Sequence, residues 1–318
     1  MFSVLLALAI LLCGSCASQV VSQSGHGLYT SATTEDPAIH YVEIGSGPPV
    51  ILIPGLFSTH AGWNRTIPYL LGHHRILAID NFGTGSSDRN VTGFDYSVAE
   101  QADKVIAFMD ELKIERCDLV GISYGGMIAL NIAARYPQRV NSIVSIEGAV
   151  IMPRKDHYER LIQGLKFPPF GNVVIGFIRS GLFDERMAKG IMEPSWADLN
   201  PEDQAEITAI IARNSKAATR RTWLSLARAL TDAEDFTEEA KGIKAPVLYL
   251  SGDLSEFRDM TDRNIVFFKE YLPAIQVVSF ADGVHDLELQ KPEQTAALIL
   301  EFIEQNADGL QVVESVLH

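Results

Sequence analysis

Cysteine is scarce: the 318-residue chain has three, and two of them, Cys13 and Cys16, lie near its start. Cys117 alone would remain after loss of a leader, so no internal disulfide is expected and a buried, inert thiol is. Positive charge is also short, with 26 Lys and Arg against 40 Asp and Glu and a formal net charge of −14. The longest basic grouping, Arg220-Arg221 beside Lys216, reads as a solvated helix face. Nucleic acid and anionic membrane surfaces are therefore disfavoured as partners, since both call for clustered Lys and Arg. No His, Cys and carboxylate set has metal-ligand spacing. Gly83-Thr-Gly85 lacks both the third glycine of a dinucleotide loop and the lysine of a triphosphate loop. Neither a metal nor another cofactor is expected, and repeats and low-complexity stretches are absent.

The first seventeen residues carry no charged side chain, and the apolar run Val4 to Leu12 is too short to span a bilayer. With Cys-Gly-Ser-Cys-Ala17 behind it, this reads as a signal peptide cleaved after Ala17. The protein would then be secreted or periplasmic. In a second reading Cys16 becomes lipidated and anchors a lipoprotein, the one membrane contact considered; a short N-terminal anchor is a third. Asn64-Arg-Thr66 and Asn90-Val-Thr92 fit glycosylation acceptors if the source is eukaryotic.

A hydrophobic content of 47% over this length suffices for one well-buried core with an insertion. Apolar strand-like runs alternate with helix-like stretches, which predicts an α/β fold with a mostly parallel sheet covered on both faces. Strands are expected at 38–44, 50–54, 75–80, 117–122, 142–146, 246–251 and 275–280. Helices are expected over 98–112, with Ala107 and Phe108 towards the core, and over 125–136. Between about Val150 and Lys241 the alternation breaks into helical, irregular sequence: 156–165, the Phe167-Pro-Pro-Phe-Gly turn, an apolar stretch 173–183, then helices at 201–214 and 217–233. Arg179 and the proline pair argue against a membrane helix there. A last helix is expected from Pro292 to Gln305.

The richest motif is Leu119-Val-Gly-Ile-Ser-Tyr-Gly-Gly126, a buried strand running into Gly-x-Ser-x-Gly. Small residues two places either side of the serine permit a sharp strand-to-helix turn. That turn would hold Ser123 at a helix N-terminus, where developing negative charge is favoured. Alone, the motif equally describes a serine that only caps a helix. His285 strengthens the nucleophile reading, because among eight histidines it is the one on a loop after a late apolar strand. The others, at 26, 40, 60, 73, 74, 157 and 318, read as surface, strand-edge or tail residues.

From about Ile39 through Gln305 the chain resembles the α/β-hydrolase superfamily, in its esterase and lipase-like branch with a helical cap. Besides the elbow, the resemblance rests on Pro49-Val-Ile-Leu-Ile-Pro-Gly-Leu56, Ile76-Leu-Ala-Ile-Asp-Asn-Phe-Gly-Thr-Gly-Ser-Ser87, Lys244-Ala-Pro-Val-Leu-Tyr-Leu-Ser-Gly252 and Gly283-Val-His285. It implies the α/β-hydrolase fold, and the expected parts, with the leader read above, are leader 1–17, core 27–149, helical cap 150–241, core 242–306 and tail 307–318. It implies Ser123 as nucleophile, His285 as base, and the Leu56 and Tyr124 N–H groups as oxyanion donors. Pro54-Gly55 departs from the family's His-Gly at the oxyanion turn, so the bracing of that turn must differ. The acid is open: Ser255 stands where the aspartate usually sits, Glu256 follows it, and Asp253 and Glu147 compete, with Glu256 favoured. The implied activity is hydrolysis of small, mainly apolar carboxylic esters, with thioesters, amides and lactones as variants. Carbon–carbon bond hydrolases and cofactor-free haloperoxidases share the serine elbow, whereas dehalogenases and epoxide hydrolases use aspartate. A ligand-binding protein on a hydrolase scaffold is the alternative from another class.

Overall fold

A computed structural model describes residues 20–24, 27–35, 38–72, 74–88, 94–152 and 158–307. The leader with Cys16, the 90–92 triplet, histidines 26, 73, 157 and 318, and nearly all of the tail lie outside these residues. The strands are β1 (Val20–Ser24), β2 (Gly27–Thr33), β3 (His40–Gly45), β4 (Pro49–Ile53), β5 (Arg75–Ile79), β6 (Cys117–Ile122), β7 (Val140–Ile146), β8 (Val247–Gly252) and β9 (Ile275–Phe280). They form one sheet in the order β1-β2-β3-β5-β4-β6-β7-β8-β9, antiparallel from β1 to β5 and parallel from β5 onwards. Seven strands fall where apolar runs predict them. The β1–β2 hairpin does not, because its sequence is rich in Ser, Gln, Gly and Thr and lacks apolar alternation.

The parallel strands are buried on both faces, and their side chains divide by the two-residue period. Ile51 and Ile53 of β4 join one apolar cluster, while Val50 and Leu52 join the cluster on the opposite face. The first face is covered by α2 (Val98–Glu111), α3 (Tyr124–Arg135) and α10 (Arg258–Tyr271). The second is covered by α1 (Ile67–Leu70) and α12 (Pro292–Ala307). In α2 the buried residues include Ala102, Val105, Ile106, Phe108 and Met109, and Ala107 is only half-buried. Cys117 is buried against Met109, and burial raises its thiol far above the usual range.

Between β7 and β8 the chain forms α4 (Glu159–Lys166), α5 (Pro168–Arg179), α6 (Asp184–Met192), α7 (Pro201–Ala217), α8 (Arg220–Thr231) and the short α9 (Thr237–Ala240). The Pro168-Pro169 pair opens α5 rather than breaking it, since proline suits the first helical turn. The boundary between α7 and α8 falls later than expected. Ala218 is extended, and Thr219 caps α8 by accepting from the Thr222 N–H. After β9, the short α11 (Leu287–Gln290) leads into α12.

Candidate active site

Ser123 stands between the end of β6 and the start of α3 with φ 53° and ψ −118°, a strained conformation for a residue with a side chain. The backbone on both sides pins it: the Ser123 N–H donates to Ile146 O at 2.7 Å, and the Met127 N–H donates to Ser123 O at 2.9 Å. A Cβ at Gly121 would come within 2.3 Å of Gly125 O, and one at Gly125 within 2.2 Å of Ile53 O. The two glycines are therefore what let strand, helix and the neighbouring turn after β4 approach so closely. That turn holds Gly55 and Leu56 beside the serine, and the Asn81 side-chain amide donates to Pro54 O at 2.9 Å. Asn81 thus supplies bracing where the family's His-Gly is missing. Tyr124 is the first residue of α3, so the helix itself cannot satisfy its N–H.

His285 lies on the loop between β9 and α11, half-buried. Its Nδ1 donates to Glu147 Oε2 at 2.6 Å. Glu147 follows β7 and is fully buried with φ 47°. Its other oxygen accepts from the Gly252 N–H at 2.8 Å, and its Oε2 also accepts from Ser255 Oγ at 2.5 Å. The expectation that Glu256 partners the imidazole is corrected: the carboxylate on His285 is that of Glu147. Glu256 is exposed at the cavity rim, and Asp253 is an exposed partner of Arg258. The reason is geometric. Parallel β7 and β8 pair Ile146 with Leu250, which sets Glu147 beside the end of β8, and Ser255 then offers a donor instead of an acid.

Burial pulls the His285 pKa down, but the Glu147 hydrogen bond and the charges of Glu147, Asp286 and Glu256 outweigh it and raise the value to about 9. Burial pushes Asp286 up to about 6 and, with Asp286 nearby, raises Glu288 well above the carboxylate range.

Ser123 and His285 open into one cavity of about 310 Å³. Its walls are mainly apolar, from Leu161 of α4, Met187 and Ile191 of α6, Ile211 of α7 and Trp223 of α8. Phe57, on the turn beside Ser123, stacks on Trp223 with ring centroids 4.4 Å apart. The lining holds three carboxyls outside the His285 pair (Glu256, Asp286 and Glu288) and no Lys or Arg.

Away from the cavity, His40, His60 and Asp80 bring donor atoms within 4.8 Å of one another, a grouping hidden in the sequence by two twenty-residue gaps. These three could hold a divalent cation, contrary to the expectation that no such set exists. Asp80 is already served by the His60 and Ser86 N–H groups at 2.8 Å each and by His60 Nδ1 at 2.7 Å. A cation would have to displace that last contact and the approach of His40 Nδ1 to Asp80 Oδ2 at 3.2 Å. Burial opposes the Asp80 charge, yet the bonds from His40 and His60 prevail and hold its pKa below the usual range.

The family profile described as alpha/beta hydrolase fold matches residues 48–172. In solved structures, the enol-lactonase from Burkholderia xenovorans LB400 superposes with a TM-score of 0.68 at 20% identity, over 84% of this chain and 96% of that one. The chain has the α/β-hydrolase fold. At that identity the likeness is one of fold. Among curated relatives of this chain, the 2-hydroxy-6-oxo-2,4-heptadienoate hydrolase of Pseudomonas putida is 37% identical over 112 residues, 34% of this chain and 40% of that protein. The cis-3-alkyl-4-alkyloxetan-2-one decarboxylase of Shewanella oneidensis is 33% identical over 118 residues, 36% of this chain and 37% of that protein. The chain therefore spans well under two thirds of the length of these relatives.

Proposed function

We propose that the protein is a serine hydrolase that cleaves carboxylic esters, or closely related acyl bonds, of small and mainly apolar substrates. The observation that carries this reading is Ser123, held on a strained elbow and opening into the same cavity as an imidazole whose far nitrogen is fixed by Glu147 at 2.6 Å.

Ser123 Oγ attacks the carbonyl carbon while His285 Nε2 takes its proton, so a C–O bond forms as the carbonyl π pair moves onto oxygen. The Leu56 and Tyr124 N–H groups donate to that oxyanion; losing one such donor typically costs ~10²–10³ in kcat. Collapse breaks the bond to the alcohol, which leaves with the proton from His285. Water then repeats the two steps and releases the acid. Glu147 takes the part of the acid, keeping Nδ1–H pointed away from the serine and stabilising the imidazolium. The helices between β7 and β8 act as the cap whose apolar side chains select the acyl group.

A carbon–carbon hydrolase is the second reading, supported by the Pseudomonas putida relative. The substrate in that relative's name is a dienoate, which carries a carboxylate, and the present cavity offers three carboxyls and no Lys or Arg to receive one. An uncharged ester fits better.

Ser123→Ala is expected to abolish turnover of a short p-nitrophenyl ester and labelling by a fluorophosphonate probe, with the circular dichroism spectrum unchanged. Retained turnover by that variant would overturn the assignment. A wild-type protein that never takes up the probe would point instead to a ligand-binding protein.

A further inference from the structure

Of the ten large hydrophobic residues exposed among those described, six fall between Phe167 and Phe183. Their exposure runs from 41% at Phe183 to 74% at Leu182. Helix α5 carries the centre of this strip. Phe170, Val173 and Phe177, spaced at i, i+3 and i+7, share one outward face. Gly171 and Ile175 are buried on another, and Val174 and Ile178 pack there into the cluster that holds Trp223, Leu161 and Met187. The helix is thus apolar towards both protein and solvent, and its inner side adjoins the cavity wall. Isolated exposed apolar residues need no account, but a contiguous strip of this kind marks a contact surface.

The charge pattern indicates what the surface meets. In a chain of net charge −14, residues 166 to 183 contain no Asp or Glu; Lys166 ends α4 just before α5, and Arg179 ends α5. An isologous contact with a second copy would set this patch against itself and leave both basic groups without an acidic partner. Phospholipid head groups supply phosphates at the depth where basic residues flanking an apolar helix face come to rest. Twelve residues of helix span only about 18 Å, too short to cross a bilayer. Helices α4 and α5 are apolar enough only when taken together, and they are bent by 116° where they meet.

We infer that the outer face of α5, with Phe167, Leu182 and Phe183, docks onto a phospholipid bilayer surface. The whole-chain charge argues against such a partner; the local pattern reverses that for this one face. The inference stands apart from the chemistry at Ser123.

The test is co-sedimentation of the full chain with vesicles of phosphatidylcholine and phosphatidylglycerol, compared with a Phe170→Ser, Val173→Ser, Phe177→Ser variant. All three side chains are exposed, so thermal unfolding should be unchanged. The variant is expected to lose at least ~10-fold in partition coefficient. Vesicle binding is read without turnover, so an inactive Ser123 leaves the result intact. Lys166→Glu with Arg179→Glu should weaken binding as well, and unaltered binding would remove the charge argument for lipid. Equal binding by parent and triple variant, or none by either, overturns the inference. So does a concentration-dependent dimer that the triple variant abolishes while vesicles bind neither form.

Discussion

Ser255 occupies the position at which α/β hydrolases usually carry an acid, and its hydroxyl now donates to the carboxylate that replaces it. Glu147 therefore has three donors, from Gly252, Ser255 and His285, and stays paired although fully buried. Glu147→Gln should lower kcat by ~10²–10⁴, as loss of the orienting carboxylate does elsewhere, whereas Glu256→Gln should cost under about 10-fold. Steady-state kinetics on the pair decides between the two acids. The same contact sets the pH dependence. A base must be neutral to accept a proton, and the His285 pKa is raised to about 9, so kcat/KM should climb with pH towards that value. Glu147→Gln should move this limb to lower pH. The stability sign is opposite: with the folded value raised, the imidazolium–Glu147 attraction is fully present below about 6.5 and fades as pH rises through about 9. Thermal unfolding across that window measures it. Ser123 and His285 were legible in the sequence because the elbow glycines and a late-strand loop are local signals. The His285–Glu147 pairing was not, because it depends on the register of β7 against β8.

At the scale of elements, the elbow is a packing solution before it is a chemical one. Gly125 lies against the Ile53 and Pro54 carbonyls, with 2.2 Å and 2.7 Å available to any Cβ. Gly125→Ala should destabilise by about 1–3 kcal/mol and impair activity more than stability, since relief requires moving β4 or Ser123. Denaturant unfolding beside ester turnover separates the two effects. The parallel strands were readable because burial on both faces writes continuous apolar runs; β8 is buried along all six residues. The edge strand β1 and its antiparallel hairpin partner β2 escaped because antiparallel strands need no such run. The end of α7 escaped because Thr219, a capping residue, decides it rather than any change in hydrophobic pattern.

Across the whole molecule, polar ties cross from the sheet domain to the helical segment. Thr59 Oγ1 donates to Asn214 Oδ1 at 2.7 Å, and buried Arg65 bonds Leu289 O at 2.6 Å while pairing with Asp203 and Glu206 of α7. These ties leave the apolar wall free to vary. Leu161→Ala, on α4, should raise kcat/KM for longer acyl chains relative to acetyl esters, read from a chain-length series; an unchanged ratio would show that this wall does not meet the acyl group.

Because Glu147 directly follows β7 and not β8, Ser123 and the carboxylate that holds His285 both precede the helical insertion in the chain, and His285 follows it. A foreign insertion spliced between residues 150 and 241 would leave Ser123 and Glu147 at the ends of neighbouring strands, joined by backbone bonds it never touches. On the proposed mechanism, specificity is thus separable from reactivity along the chain, and chimaeras that exchange this block must preserve the contacts of Glu147 with Gly252, Ser255 and His285 across the splice.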